Sequence, residues 1–329
     1  MKPRKIVTVD IGGTHSRFAL ATIQDGSVVD LGPCRTLKTA NYQHFTDAWL
    51  AYAEQCDHPL PRAASIAIAA PVRGPDVQMT NGSWSLNARR LANNLNLDRV
   101  HLCNDFGAMA YGVAALNTTD LIAVGGPKMP LPGDGSITVA GPGTGFGVAL
   151  LARRDRQITV VETEGGHIQF APANEVEQLV QDHLRQRHGR VSIERVLCGG
   201  GLRVFASALA QIEGQPLQAE NDSIAWVSAL SGNDPRWRNA LLHYLSAMGH
   251  AAGELALCHG ANAFVLVGKL AQRLAPVIAD SDFGQRFESK GRYGDYMAQI
   301  VQAVAGHPEL GLLGAAAAFS QQIKLRPDI

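Results

Sequence analysis

The first part of the chain alternates short β-type runs with turn residues. Ile6–Val9 is a β-branched run that predicts a strand, and Arg17–Ile23 alternates apolar and polar positions as a half-buried strand does. The turn residues Gln24-Asp25-Gly26-Ser27 separate this second strand from Val28–Leu31, which predicts a β-hairpin. The chain is therefore expected to begin with adjacent strands.

Helical spacing appears between the strands that follow. The elements predicted up to residue 151 are a helix over Phe45–Cys56, a strand over Ser65–Ala70, a helix capped by Ser85 and ending at Leu95, and strands over Val100–Leu102, Ile137–Ala140 and Phe146–Leu151. Later segments are mainly helical, over Val176–His188, Leu202–Ile212, Trp237–Cys258 and Gly311–Ile323, with one buried strand over Ala263–Val267. The Gly- and Pro-rich segment Gly125–Gly135 predicts a surface loop. Strands that alternate with helices favour an α/β fold.

Two segments of the chain resemble each other. Residues 6–21 align without a gap on residues 136–151, and the identical pairs are Thr8/Thr138, Val9/Val139, Gly13/Gly143, Thr14/Thr144, Ala19/Ala149 and Leu20/Leu150. Each copy has the pattern strand, Gly/Thr turn, strand. Chance is one explanation, because tight turns converge on glycine for steric reasons. The other is a pair of similar domains that face each other across a cleft.

Composition and charge exclude several classes of protein. Lys+Arg and Asp+Glu both number 29, and the balanced charge argues against a nucleic-acid or anionic membrane partner. No run approaches the ~18 apolar residues of a membrane span, and Asp10 and Gly12 break the opening apolar run too early for a signal peptide. Five scattered cysteines without a CxxC pair favour reduced thiols over disulfides or zinc. The expectation is a cytoplasmic globular protein.

Two glycine-rich turns are candidate phosphate sites. One follows Asp10, in Asp10-Ile11-Gly12-Gly13-Thr14, and the other is Gly141–Gly145. Such turns expose backbone N–H groups to phosphate oxygens, and a threonine hydroxyl adds a donor. Asp10 is placed for a water-mediated contact to Mg²⁺, although Asp10 and Thr14 could also simply cap the turn. Neither turn matches the GxxxxGK[ST] or GxGxxG pattern.

Three further motifs carry polar side chains suited to a sugar site. Asn104-Asp105 follows the strand Val100–Leu102, so Asp105 is either a helix N-cap or a general base at the carboxyl end of a strand. Glu164-Gly165-Gly166-His167 and Glu194 add carboxylates and an imidazole of the kind that bind neighbouring sugar hydroxyls. Taken singly, His167 could be a structural histidine and Glu194 a capping-box residue.

In these motifs the chain resembles the bacterial glucokinase family, within the sugar kinase, actin and Hsp70 superfamily. The residues that carry the resemblance are Asp10–Arg17, Asn104-Asp105-Phe106, Gly141–Gly147, Glu164–His167 and Glu194–Leu197. The resemblance implies an α/β fold of two ribonuclease-H-like (actin-like ATPase) domains across a central cleft. The implied activity is ATP- and Mg²⁺-dependent phosphorylation of glucose at its 6-hydroxyl, and a homodimer is expected. The implied domains are a small domain over residues 1–113 joined by a carboxyl-terminal helix over 308–329, and a large domain over 114–307.

The resemblance also implies roles for individual residues. Asp105 would be the general base, and the glucose ligands would be Asn104, Asp105, Glu164, His167 and Glu194. The nucleotide would contact Val9, Asp10, Ile11, Gly12, Gly13, Thr14, Gly143, Thr144 and Gly145, with Mg²⁺ near Asp10 through water.

The chain departs from the family pattern at two positions. Val9 stands where the family often has Gly, and Lys269 follows Gly268 where relatives usually have a second Gly over the adenosine. Lys269 would crowd the nucleotide, which leaves open whether the donor is ATP or polyphosphate. It also keeps open a non-catalytic sugar sensor with an impaired nucleotide site. The zinc cluster CxCGxxGCxE of the related ROK kinases is absent from the sequence, which favours a zinc-free branch.

Overall fold

The computed structural model describes residues 2–80, 82–155, 157–215 and 221–325. The ends of the predicted domains at residue 1 and at residues 326–329 lie outside this described part. The chain divides into two compact units. The first unit comprises Met1–Asn117, Val160–Glu162 and His307–Ile329, and the second comprises Thr118–Thr159 and Thr163–Gly306.

Strands and helices alternate along the described chain, as the sequence predicts. The strands are β1 (Arg4–Ile11), β2 (His15–Gln24), β3 (Ser27–Leu31), β4 (Arg35–Lys38), β5 (Ala63–Ile68), β6 (Asp76–Gln78), β7 (Ser85–Asn87), β8 (Arg99–Asn104), β9 (Leu121–Gly125), β10 (Gly135–Pro142), β11 (Phe146–Arg154), β12 (Gln157–Thr163), β13 (Ala263–Leu266) and β14 (Val301–Ala305). The helices are α1 (Phe45–Ala53), α2 (Ala88–Asn94), α3 (Asp105–Ala115), α4 (Glu175–His188), α5 (Ile193–Leu197), α6 (Gly201–Glu213), α7 (Asp222–Ser231), α8 (Pro235–Cys258), α9 (Lys269–Ile278), α10 (Phe283–Glu288), α11 (Gly294–Met297) and α12 (Leu310–Leu325). None of the described helices is long and apolar enough to cross a membrane.

The two main sheets share one topology. The first sheet has the order β3-β2-β1-β5-β8, with β4 also paired to β2, and the second has the order β12-β11-β10-β13-β14-β9. In each, an antiparallel hairpin (β1/β2 or β10/β11) joins two parallel strands. The internal sequence repeat therefore corresponds to a structural repeat. The registers differ by one residue, because Ile11 pairs with Ser16 but Pro142 pairs with Phe146, so the second turn is one residue shorter.

The first unit packs both faces of its sheet. One face carries an aromatic cluster in which Phe18 stacks on Phe45 and Tyr52, with ring centroids 6.0 and 5.0 Å apart. The other face is covered by α12, which crosses α3 at very close range. A Cβ on Gly314 would overlap the carbonyl oxygen of Ala108, so only glycine permits this crossing. The absence of a side chain at Gly314 therefore lets α12 lie directly against the backbone of α3.

The second unit is organised around the long helix α8. Tyr244 of this helix is fully buried and makes edge-to-face contacts with Phe205 and Trp226, at centroid distances of 6.1 and 5.4 Å. Its hydroxyl donates to the carbonyl oxygen of Leu197 over 2.8 Å. This contact ties α8 to the end of α5, the helix that carries Glu194.

Two local predictions are wrong. Ser85 does not cap a helix, because residues Ser85–Asn87 pair with β6 as a two-stranded ribbon. Asn87 is the N-cap of α2 instead, and its side chain accepts from Arg90 N at 3.0 Å. The second is the reading of Asp105 as a helix N-cap: the helix after β8 begins at Asp105, and its N-cap is Asn104.

Candidate functional site in two parts

Asp105 is the first residue of α3 and lies directly beyond the end of β8. The N-cap of this helix is its neighbour Asn104, whose side-chain oxygen accepts from Phe106 N at 2.9 Å and from Gly107 N at 3.1 Å. The Asn104 amide also donates to the Ala70 carbonyl oxygen over 3.1 Å. Because Asn104 satisfies the exposed N–H groups of the helix, the Asp105 carboxylate is not needed as the cap.

The Asp105 carboxylate is in an environment that disfavours its charge. Among the described residues it forms no ion pair, and it accepts a hydrogen bond from Phe106 N at 2.9 Å. Burial is the main cause that raises the pKa of Asp105 to about 7, and the nearby charges of Asp10 and Glu162 raise it further. A carboxyl with this pKa is partly protonated near neutral pH and can accept a proton there.

Glu162 is a further candidate site residue, which sequence reasoning did not find. Its Oε1 accepts from Asn104 N at 3.1 Å, and a Cβ on Gly107 would collide with its carboxylate. Burial raises the pKa of Glu162, while the Asn104 hydrogen bond lowers it. Asn104 and Glu162 are 58 positions apart in the sequence, so no local spacing could have indicated this contact.

Asp10 lies at the end of β1 and is held by an arginine. Its Oδ2 accepts from Arg17 Nη1 at 2.9 Å, and Arg17 Nε lies 3.9 Å from Glu309 Oε2. A Cβ on Gly311, in the first turn of α12, would lie 2.9 Å from Asp10 Cγ. The start of this helix therefore packs on the Asp10 carboxylate, where the positive end of the helix dipole stabilises negative charge.

The first glycine turn presents its tip to solvent. Gly12 N donates to His15 O over 2.9 Å, and Thr39 N donates to Thr14 O over 3.0 Å. Gly13 and Thr14 are exposed. By contrast, the side chains of the predicted nucleotide contacts Val9 and Ile11 are fully buried in the core, so these two residues support the turn from below.

The second glycine turn joins β10 to β11. Gly143 and Thr144 are exposed, and Gly143 N donates to Gly145 O over 2.8 Å. On the outer side of the turn, Gly199 N donates to Gly143 O over 2.8 Å. The turn thus offers backbone and hydroxyl donors of the kind that bind phosphate oxygens.

The second unit brings Glu164, His167 and Glu194 together. His167 Nε2 lies 3.9 Å from both Glu164 Oε2 and Glu194 Oε1. The intervening glycines allow this arrangement, since a Cβ on Gly166 would overlap Phe146 O and one on Gly165 would lie 3.0 Å from Val148 Cβ. Three of the five predicted sugar ligands therefore share one cluster, while Asn104 and Asp105 belong to the first unit with Asp10.

Lys269, which departs from the family pattern described above, lies at a position where the backbone does not favour glycine. Gly268 has a φ of 97°, a conformation that favours glycine, whereas Lys269 is the first residue of α9 and is exposed. The backbone therefore favours glycine at position 268 and not at position 269.

No group of three or more His, Cys, Asp or Glu side chains that could hold a metal ion occurs in the described part of the chain. Asp10 is the carboxylate that was predicted to contact Mg²⁺ through water, and its Oδ2 already accepts a hydrogen bond from Arg17 Nη1. A single carboxylate is not a complete Mg²⁺ site, since Mg²⁺ takes octahedral oxygen coordination.

The family model for glucokinase matches residues 7–322. The chain is 44% identical to glucokinase from Zymomonas mobilis over 318 residues, which covers 97% of this chain and 98% of that protein. It is 37% identical to glucokinase from Chromohalobacter salexigens, with 95% of this chain and 97% of that protein covered.

Solved structures give the same result for the fold. Glucokinase from an Antarctic psychrotroph superposes with a TM-score of 0.84 at 29% identity, covering 95% of this chain and 98% of that one. A ROK family glucokinase from Streptomyces griseus shares the fold at a TM-score of 0.60 and 17% identity, covering 97% of this chain and 99% of that one. The predicted α/β fold of the actin-like ATPase type is confirmed, and the chain belongs to the glucokinase family.

Proposed function

We propose that this protein transfers the terminal phosphoryl group of ATP to the 6-hydroxyl of glucose, giving glucose 6-phosphate and ADP, with Asp105 as the general base. The observation that carries the proposal is the state of the Asp105 carboxyl: it is partly buried at the start of α3, is not required as a cap, and has a pKa raised to about 7. A general base works best when its pKa lies near the operating pH. Membership of the glucokinase family supplies the reaction in which such a base would act.

The sugar is proposed to bind to Asn104, Asp105, Glu164, His167 and Glu194. Carboxylates accept two hydrogen bonds each, which suits adjacent hydroxyl groups, and a site built on them rejects a sugar that lacks one hydroxyl by roughly 10⁴-fold. The cluster of Glu164, His167 and Glu194 supports this assignment. Glucokinase from Balamuthia mandrillaris, a protein of the same fold, has been solved in complex with glucose.

The phosphates of ATP are proposed to lie on the two glycine turns. The residues concerned are Val9, Asp10, Ile11, Gly12, Gly13 and Thr14 in the first unit and Gly143, Thr144 and Gly145 in the second. The open tips at Gly13, Thr14 and Thr144 would supply the donors, and exposed Gly143 would let the phosphate approach the second turn. Mg²⁺, held by the phosphates with a water-mediated contact to Asp10, would neutralise charge on the transferring group.

Within this reaction the chain itself has mainly positioning tasks, because phosphoryl transfer needs little covalent chemistry from the protein. Asp105 accepts the hydrogen bond of the 6-hydroxyl and then its proton. The remaining polar residues fix the ring, so that this hydroxyl points at the terminal phosphate. We also propose that the protein is cytoplasmic and forms a homodimer.

A donor and acceptor panel with purified protein tests the proposal. Glucose, mannose and fructose would be offered with ATP or polyphosphate, and both ADP and sugar phosphate would be measured. The expected result is stoichiometric ADP and glucose 6-phosphate from glucose and ATP. Glucose binding without ADP release would instead identify a sugar sensor, and turnover with polyphosphate alone would refute ATP as the donor.

A further inference from the structure

Glu194 uses its two carboxylate oxygens for different neighbours. Oε2 accepts from the backbone N–H of Phe146 at 3.1 Å, and Oε1 lies 3.9 Å from His167 Nε2. Phe146 is the residue at which the second glycine turn ends and β11 begins. One side chain therefore contacts both the proposed sugar cluster and the backbone of the proposed phosphate turn.

The contact between Glu194 and the turn is tight. A Cβ on Gly145 would overlap the Glu194 carboxylate, so the glycine at this position is needed to admit that side chain. The Glu194 side chain is 28% exposed, while those of Glu164 and His167 are 60% and 57% exposed. Glu194 is therefore the most buried member of the cluster and the one fixed against the backbone.

The helix that carries Glu194 is itself anchored. Ser192 caps α5 by accepting from Arg195 N, and the Tyr244 hydroxyl donates to Leu197 O at the other end. Beyond the helix, Gly199 N donates to Gly143 O over 2.8 Å, and the indole N–H of Trp226 donates to Gly199 O over 2.7 Å. The segment 194–199 thus holds the turn at its start and at its end.

We propose that Glu194 is also a positioning residue for the nucleotide: by holding Phe146 N–H it keeps the Gly143–Gly145 turn in the shape that binds phosphate, whether or not sugar is present. This inference rests on the proposed function, in which that turn contacts ATP. It assigns to Glu194 a task that Glu164, which lies in the same cluster but has no contact with the turn among the described hydrogen bonds, does not share.

The size of the effect follows from the hydrogen bond. A bond between a charged acceptor and a backbone N–H, partly shielded from water, commonly stabilises its arrangement enough to change an equilibrium by roughly 10-fold to 100-fold. Loss of the bond lets the turn leave the phosphate-binding shape, and the affinity for nucleotide falls in proportion to the fraction of time that the turn keeps that shape. We expect ADP binding about 10-fold or more weaker when the bond is lost.

Calorimetric titration of Mg·ADP without sugar separates this role from the sugar role. Glu194→Ala and Glu194→Asp both lose the reach to Phe146 N and are expected to bind ADP about 10-fold more weakly. Glu194→Gln keeps the length and an acceptor oxygen, so its ADP affinity stays near that of the wild type although its glucose affinity falls. Glu164→Ala is the matched control: it weakens glucose binding and leaves ADP binding unchanged.

Two results would overturn the inference: wild-type ADP affinity in both Glu194→Ala and Glu194→Asp, or an equal loss in Glu194→Gln. If Glu194→Ala does not fold, the charge-conserving Glu194→Asp carries the test, with its fold checked by circular dichroism. Gly143→Ala distinguishes a failure of the proposed function, because a Cβ there meets no protein atom within 4 Å and would block only a bound phosphate. Unchanged ADP binding in Gly143→Ala would show that the phosphates do not lie on this turn.

Discussion

Replacement of Asp105 by asparagine is expected to stabilise the protein while it removes activity. The pKa of Asp105 is raised from 3.8 to about 7, so the folded protein binds the proton more tightly than the unfolded chain does. Ionisation of Asp105 in the folded state therefore costs stability. The cost is absent below the unfolded pKa, grows as the pH rises above it, and is complete above the folded pKa.

The magnitude follows from the two pKa values. A shift of one pKa unit corresponds to about 1.4 kcal/mol, so the cost is ~2 kcal/mol near pH 5 and ~4 kcal/mol near pH 8. Asparagine resembles the neutral carboxyl in size and carries no charge at either pH. The free energy of unfolding of Asp105→Asn should therefore exceed that of the wild type, and the excess should grow with pH.

Urea unfolding followed by circular dichroism at both pH values measures the excess. Asp30→Asn is the matched control, because Asp30 is an exposed carboxylate on β3 and its replacement should not produce the same pH dependence. The reasoning would be refuted if Asp105→Asn were no more stable than the wild type near pH 8, or if its excess stability were the same at both pH values.

Two further predictions concern neighbours of Asp105. The kcat/KM for glucose should rise with pH as Asp105 ionises. Glu162→Gln should move this rise to lower pH, because it removes a negative charge that raises the pKa of Asp105. Glu54→Gln, at an exposed position, is the control, and a pH profile of Glu162→Gln that is no more shifted than that of Glu54→Gln would contradict the prediction. Gly314→Ala should destabilise the protein by about 1–3 kcal/mol, because its Cβ overlaps Ala108 O at the α3–α12 crossing. Urea midpoints compared with Gly133→Ala, whose Cβ meets no atom within 4 Å, provide the check, and equal midpoints for the two variants would show that the crossing tolerates a larger residue.

Local chemistry made several elements predictable from the sequence. The turn between β2 and β3 has positive φ at Asp25 and Gly26, 51° and 78°, which is the backbone that Asp-Gly favours in two-residue hairpins. The Gly-Gly pair of Glu164–His167 is different, because the atoms that require glycine there belong to β11. The hairpin turn alone is a short segment that contains the information that fixes its own conformation.

Elements that depend on distant partners were missed. β14 has Gln302 as its second residue, a fully buried polar residue that interrupts the apolar run expected of an interior strand. α9 contains Pro276, and proline is unfavourable in the interior of a helix, so the local sequence does not predict a helix there. β12 is largely exposed, and its residue Glu162 joins the candidate site through the hydrogen bond that it accepts from Asn104 N. Tertiary contacts outweigh local preference at each of these positions.

The most direct test of the account is a single-turnover measurement of phosphoryl transfer in Asp105→Asn. Enzyme in excess of radiolabelled ATP would be mixed with saturating glucose, and glucose 6-phosphate would be quantified after rapid quenching. The account predicts rapid transfer by the wild type and a rate lower by ~10²–10⁴ in Asp105→Asn, with glucose binding retained in the variant. Transfer by Asp105→Asn at the wild-type rate would contradict the assignment of Asp105 as the general base.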